Sequence, residues 1–274
     1  MRELPGFLGS ELRLVAGRRR NQAGVLVLMA LPIAIVVGNK VSGHGDGGGG
    51  AGAGFIDQIT SNGIFAAFAA LTIELGLFLP LGIAMVSGDA VAGEAQAGTL
   101  RYLLTVPVGR TRLLVVKYLA LVVTGIFGAV VVAVTGVVFG AVFFGVGPLT
   151  TLSGSQIPLA DGVWRLALSV LYVSAGLAAL AAVGLFVSTL TEQPIAVTVV
   201  VMVFTAGSWI LDSIPQLAAI HPWLMVDRWL SFADLMRDPP EWGTVVSGLG
   251  VDAAYAAVFL LAAWASFTNR DVTS

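Results

Sequence analysis

Apolar stretches long enough to approach or exceed the crossing length of a bilayer's hydrocarbon core, roughly 30 Å, recur six times. They lie at residues 23–38, 64–86, 113–145, 164–188, 195–211 and 243–267. Each predicts a membrane-spanning helix. The third stretch is longer than one crossing needs at about 1.5 Å per residue, so its first turns, with Arg112 and Lys117, are expected to project into water. Pro80 is expected to bend the second span near its inner end, because proline lacks the N–H of the helix ladder.

Four polar segments interrupt this pattern. Ahead of the first span, Leu4, Phe7, Leu8, Leu12 and Val15 recur at helical spacing and end in Arg18, Arg19 and Arg20. That predicts an amphipathic helix on the inner membrane surface, against the plainer reading of an ordered tail. Arginines before an apolar stretch also resemble a cleaved signal peptide, but this leader is too long, and the first span is read as retained. Residues 42–54 are nearly all glycine, histidine, aspartate and alanine, and predict a flexible external loop. No G-x-x-x-x-G-K-[ST] phosphate-binding pattern occurs there.

Between the second and third spans, Glu94, Arg101, Arg110, Arg112 and Lys117 stand beside the apolar series Leu100, Leu103, Leu104 in a helix-turn-helix pattern. A small polar helix held between two spans is a natural docking surface for a soluble partner. Between the fifth and sixth spans, residues 215–242 are too polar to cross. With Trp209, this region holds Trp223, Trp229 and Trp242, which suit an outer interfacial belt. Re-entrant helices and a simple surface cap both remain open there.

Composition narrows the class. The chain has 274 residues, 57% hydrophobic and only 11% charged, with a mean hydropathy of +0.93. Soluble domains carry about a quarter charged residues, so this is an integral membrane protein. Its fold class is all-α, a single transmembrane domain over 1–274. That domain divides into an N-terminal amphipathic helix (1–21), a Gly-rich external loop (39–62), a cytoplasmic loop (89–112) and an external interfacial segment (212–242). With no cysteine, disulfides and thiolate metal sites are excluded. Only His44 and His221 are available for a histidine site, and no metal is expected. Ten of the 14 basic residues (Arg2, Arg13, Arg18, Arg19, Arg20, Arg101, Arg110, Arg112, Lys117 and Arg270) fall on one side if the N-terminus is inside. Lys40, Arg165, Arg228 and Arg237 fall on the other. The positive-inside bias places both termini in the cytoplasm of a multi-pass protein of the cell membrane.

The loop sequence carries a resemblance. Glu94, then Gly98-Thr99-Leu100, Leu103-Leu104, Pro107 and Arg110, with Lys117 opening the next span, resemble the pattern E-x-x-x-G-T-L-x-x-L-L-x-x-P-x-x-R of ABC-2 type permeases. The six spans, basic N-terminal helix and elaborated loop after the fifth span are also similar to that family. The resemblance implies a permease dimer, of identical or paralogous copies, that binds two ATP-binding cassette ATPase subunits. It implies a coupling helix between spans two and three, and a path lined largely by spans two and five. In that role Glu94 would favour the positive end of the loop helix and pair with the partner, and Gly98 would allow close backbone approach. Leu100, Leu103 and Leu104 would form an apolar stripe. Thr99 belongs to the same motif, Pro107 would stop the helix, and Arg110 would meet lipid phosphate or the partner.

No Walker lysine is present, so ATP and Mg are expected on the partner ATPase, with no cofactor and no catalytic residue in this chain. Membrane lipid is an expected neighbour, and nucleic acid is not. Export is the expected direction. Within the spans, Glu74 is costly at membrane depth, about 3 kcal/mol when ionised. It is expected either to line the path or to hydrogen-bond Thr198 or Thr205 of the fifth span. Asp252 is similarly deep in the sixth. Gly136-x-x-x-Gly140 in the third span, and Ala175, Ala179 and Ala182 in the fourth, permit close helix packing. Two other classes were weighed. An intramembrane enzyme lacks a suitably placed histidine or aspartate constellation. A proton-coupled secondary transporter using Glu74 lacks evident inverted repeats.

Overall fold

The computed structural model describes residues 4–41, 62–98 and 109–269. The glycine-rich segment 42–54 and the loop residues Thr99, Leu100, Arg101, Leu103, Leu104 and Pro107 lie outside the described residues. The chain begins with α1 (Leu4–Gly17), separated by Arg18 from α2 (Arg19–Val41). Then come α3 (Gly63–Gly76), α4 (Phe78–Ala90), the short α5 (Ala92–Gln96), α6 (Arg110–Phe144), α7 (Leu159–Leu190), α8 (Pro194–Asp212) and α9 (Trp242–Asn269). A small antiparallel ribbon joins α6 to α7, pairing β1 (Leu149–Thr150) with β2 (Gln156–Ile157). Three 3₁₀ helices, Pro215–Leu217, His221–Trp223 and Trp229–Met236, join α8 to α9.

Among the described residues five helices, α2, α6, α7, α8 and α9, are each long and apolar enough to cross a membrane, and α3 with α4, bent by 50°, brings the number to six where the pair counts as one span. Each of the six apolar stretches in the sequence coincides with one of these crossings. Many large apolar side chains stay exposed along them, including Val142, Ile195, Val203, Ile210, Val258 and Leu261. Such a surface fits lipid and not water. The chain is a multi-pass helical membrane protein.

The bend in the second crossing falls at Leu77, between α3 and α4, and so at mid-span, not near an end. Pro80 still explains it. Proline's ring clashes with the carbonyl of the residue four earlier, which is Gly76, the last residue of α3. Steric conflict therefore breaks the helix one turn ahead of the proline.

Close packing fixes the second crossing against the third. Gly136 lies so near α3 that a Cβ there would stand 2.6 Å from Ala67 Cα. A Cβ on Gly140 would overlap the backbone of Gly63. Gly136 and Gly140 thus face Ala67 and Gly63, an i, i+4 stripe on each helix, and backbone meets backbone. The Asn62 side chain caps α3 by accepting from Ile64 N–H at 3.0 Å. It also donates to the Gly147 carbonyl at 2.8 Å, tying the start of α3 to the end of the third crossing. Of the five single-helix crossings, α7 is the most enclosed. Several hydroxyls within the crossings return to carbonyls of their own helix, as Thr124 does to Ala120 and Ser174 to Val170, which satisfies them without water.

Residues 213–241 form a cap folded onto α7 and α9, with Met225, Val226, Trp229, Phe232, Leu235 and Met236 buried. The expected tryptophan belt therefore divides. Trp223 and Trp242 are exposed, whereas Trp229 is buried and meets Trp209 edge to face at 6.3 Å. Arg165 of α7 donates to the Leu235 and Arg237 carbonyls at 3.2 and 2.6 Å. One end of the bundle thus carries the ribbon and this cap, and the other carries α1 and α5.

Candidate functional site

Helix α5 follows α4 with only Val91 between them, and it is far too short to be stable alone. Its hold comes from elsewhere. The backbone N–H groups of Val91 and Ala92 both donate to Ser188 Oγ of α7, at 3.1 and 3.0 Å. A side chain from a different crossing thus supplies the N-terminal cap that Val91 cannot. At the other end Gly98 adopts φ +68 and its N–H donates to the Ala95 carbonyl at 3.0 Å. The space beside Gly98 is open. Gly98 therefore provides the left-handed helix stop that glycine adopts without strain.

Glu94 turns inward. Its Oε1 receives Lys117 Nζ at 2.6 Å, and the same ammonium lies 3.4 Å from Glu11 Oε1 on α1. Lys117 is 2% exposed. The expectation that Lys117 projects into water is thus corrected: α1 and α5 close over this turn of α6, and the two carboxylates supply the counter-charge that a buried ammonium needs. Burial pushes the Glu94 carboxyl above the ordinary carboxylate range, with the Lys117 charge and hydrogen bond pulling the other way. Among the described residues Glu94 thus has a basic partner within its own chain.

Arg110 opens α6 and donates through Nη1 to the carbonyls of Phe267 and Thr268, at 3.3 and 2.8 Å. It caps the C-terminal end of α9, where carbonyls lack helical partners and a cation is favoured. Arg112 is half-buried. Asp89, at the end of α4, pairs with Arg18 at 2.5 Å and with Arg20. The arginines ahead of the first crossing therefore clamp the end of the second.

The loop thus leaves the bundle through a frame of four ties: Asp89 to α2 and its preceding residue, Ser188 to α5, Lys117 to α5 and α1, and Arg110 to α9. Sequence reasoning missed Asp89, Glu11 and Ser188 as members of this frame. A signal existed for Asp89, since opposite charges stood at the matching ends of two antiparallel crossings. Ser188, a hydroxyl at the end of an apolar stretch, offered none.

Inside the membrane region, Glu74 is fully buried near the end of α3. Neither carboxylate oxygen has a hydrogen-bond partner among the described residues. The hydroxyls expected to serve it are engaged elsewhere. Thr198 Oγ1 donates to Pro194 and Ala84 carbonyls at 3.2 and 3.4 Å, and Thr205 Oγ1 donates to Val201 at 2.9 Å. Thr198 thus joins α8 to α4, not to Glu74. Asp252 is also buried in α9.

Over 62 residues the chain is 39% identical to a Pseudomonas aeruginosa protein described as "Probable ABC transporter permease protein NosY". That stretch covers 23% of this chain and 22% of the other protein, so the chain matches under a quarter of that relative's length. Residues 19–208 match the model of a family described as "ABC-2 family transporter protein". That match runs from α2 through most of α8, well over half of the chain, and the chain belongs to the ABC-2 family of transporter proteins.

Proposed function

We propose that this chain is the permease subunit of an ATP-driven exporter, working as a dimer and moved by separate ATP-binding cassette subunits that carry the ATP and Mg. The observation that carries this reading is the frame around α5. Ser188, Lys117, Glu11 and Asp89 tie the start of the 89–112 loop to α1, α2, α4, α6 and α7. A force applied to that loop by a soluble motor reaches four crossings through short polar contacts, not through a slack linker. On this reading the α1/α5 end faces the cytoplasm with both termini, and the cap and ribbon face outward, in keeping with the distribution of Lys and Arg.

The exposed apolar faces of α8 (Ile195, Val199, Val203) and of the bent second crossing (Ile73, Leu77) support a second copy at the path. Loop residues Thr99, Leu100, Leu103, Leu104 and Pro107 would make the direct contact with the ATPase. Glu94, Gly98 and Arg110 would hold the loop in register from behind. Coupling of this kind needs two global states that nucleotide biases differently.

Co-expression with candidate ATPase subunits, followed by purification in mild detergent, tests the proposal. We expect a stable complex whose ATP hydrolysis changes when the permease is present, and nucleotide-dependent transport in proteoliposomes. Proton-driven transport by this chain alone, without bound ATPase, would overturn it in favour of a secondary transporter using Glu74.

A further inference from the structure

At the cap end, away from the loop, three side chains from the end of α8 and the cap that follows it converge. Asp212 ends α8, His221 opens the second 3₁₀ helix, and Asp227 follows it. One ligand atom from each lies within 4.8 Å of the other two, and all three residues are half-buried. We propose that Asp212, His221 and Asp227 form a binding site for a divalent transition-metal ion of the zinc class, which clips the end of the fifth crossing to the cap.

The donor set is one imidazole nitrogen and two carboxylate oxygens. Three protein ligands of these types with an open fourth position suit zinc, and related N/O sites suit iron and manganese. The ring of His221 is fixed by a backbone contact. Its Nε2 lies 3.1 Å from the Ile214 carbonyl, a partner to which Nε2–H donates, leaving the lone pair on Nδ1. A ligating histidine is commonly fixed in this way, with its other ring N–H bound to a backbone carbonyl.

The charges also point to a cation. Asp212 occupies the last turn of α8, where unpaired carbonyls already disfavour a carboxylate. Among the described residues no basic group lies within ion-pair distance of Asp212. Asp227 shares its charge with Arg228, Oδ2 to Nε at 3.2 Å, and Arg228 is also bound to Ser247. Asp212 and Asp227 face each other as a hydrogen-bonded carboxyl pair beside Arg228, and a divalent ion would replace the proton that such a pair shares. At zinc–ligand bonds of about 2.0–2.1 Å, tetrahedral ligand atoms stand about 3.3 Å apart, so side-chain rotation of about an ångström or so closes the site.

Counting histidines in the sequence argued against any metal site. A single histidine suffices once the fold brings two aspartates to it. The proposal does not depend on the transport reading, since its readout is metal binding by the chain alone.

Tag-free protein, stripped with chelator, should be titrated with Co²⁺ and Zn²⁺ in detergent. We expect one Co²⁺ per chain, with visible absorption of a low-coordinate N/O site, displacement by Zn²⁺, and a Zn²⁺-dependent rise in apparent Tm. H221A and D227N should each lose at least tenfold in affinity, and H44A should lose nothing. Wild-type protein carries a second readout: Zn²⁺ should protect His221 from diethyl pyrocarbonate while His44 still reacts. Absence of stoichiometric binding by the wild type overturns the proposal, as does binding that H221A and D227N leave unchanged or an unprotected His221.

Discussion

Lys117 shows how much one buried charge asks of its surroundings. It holds two glutamates from two other helices, and those glutamates keep slight contact with water, at 15% and 12% exposure. Removing one member of a fully buried pair costs about 3–5 kcal/mol, and here the residual hydration lowers the expected loss. Lys117→Met should therefore destabilise the protein by about 2–3 kcal/mol, and Lys117→Met with Glu94→Gln by less than that single change. A double-mutant cycle in detergent denaturation measures this. Glu94 adds a pH signature. Its folded pKa lies above the ordinary value of 4.5, so the fold binds its proton more tightly than the unfolded chain does. The stability this contributes is complete below the unfolded value and is lost as pH rises through the folded one. Relative to Glu94→Gln, the wild type should gain Tm as pH falls towards 4.5, and then level off. Glu74 presents the opposite case, a buried carboxyl with no hydrogen-bond partner among the described residues. Glu74→Leu should raise stability by about 1–3 kcal/mol, since it removes an unmet polar group. A loss of transport in that stabilised variant, and in Glu74→Gln, would mark the carboxyl as functional.

Among elements, the contact of α3 with α6 shows why glycine spacing matters within one chain. Gly→Ala in a helix interior ordinarily stabilises by about 1 kcal/mol. At Gly140 the sign should reverse, because the added methyl meets Gly63 backbone, which cannot rotate away. Gly140→Ala should cost about 1–3 kcal/mol, whereas Gly207→Ala on α8, where nothing stands within 4 Å, should be neutral or stabilising. Thermal unfolding of the pair in one detergent settles the comparison. The loop helix depends on a cap in the same way. Ser188→Ala removes the acceptor of two N–H groups and should free α5 at a cost of about 1 kcal/mol. Hydrogen exchange at Val91 and Ala92 should accelerate, with α7 itself unchanged.

For the whole molecule, the two ends of the bundle differ in kind. One end is an ion-paired frame around α5. The other is an aromatic cap bound to α7 and α9 through Trp229, Phe232 and Arg165. A chain without cysteine permits a direct test of orientation. Ala97→Cys, at the frame end, should react with a membrane-impermeant maleimide only after cells are opened. Ala160→Cys, at the cap end, should react in intact cells. The reverse pattern would invert the proposed topology and place α5 out of reach of any cytoplasmic motor.

The sequence by itself determined that the chain is a bundle of apolar helices long enough to cross a membrane, and their approximate bounds. Those features depend on local quantities: the apolar content of a segment and its own backbone hydrogen bonds. Only the tertiary structure decided where the charges went. The sequence pattern points to a solvated Lys117 and to Trp229 as part of a belt. Each is instead engaged inside the chain, because its partner comes from a segment remote in sequence. The bend at Leu77 was legible in cause but not in place, since proline's clash acts on the preceding turn. Ser188 and Glu11 were invisible for the same reason as Lys117, whereas the nearby Asp212, His221 and Asp227 needed the fold of the cap to bring them together. Low dielectric makes an unmet polar group expensive, but only the packing of helices determines which group meets it.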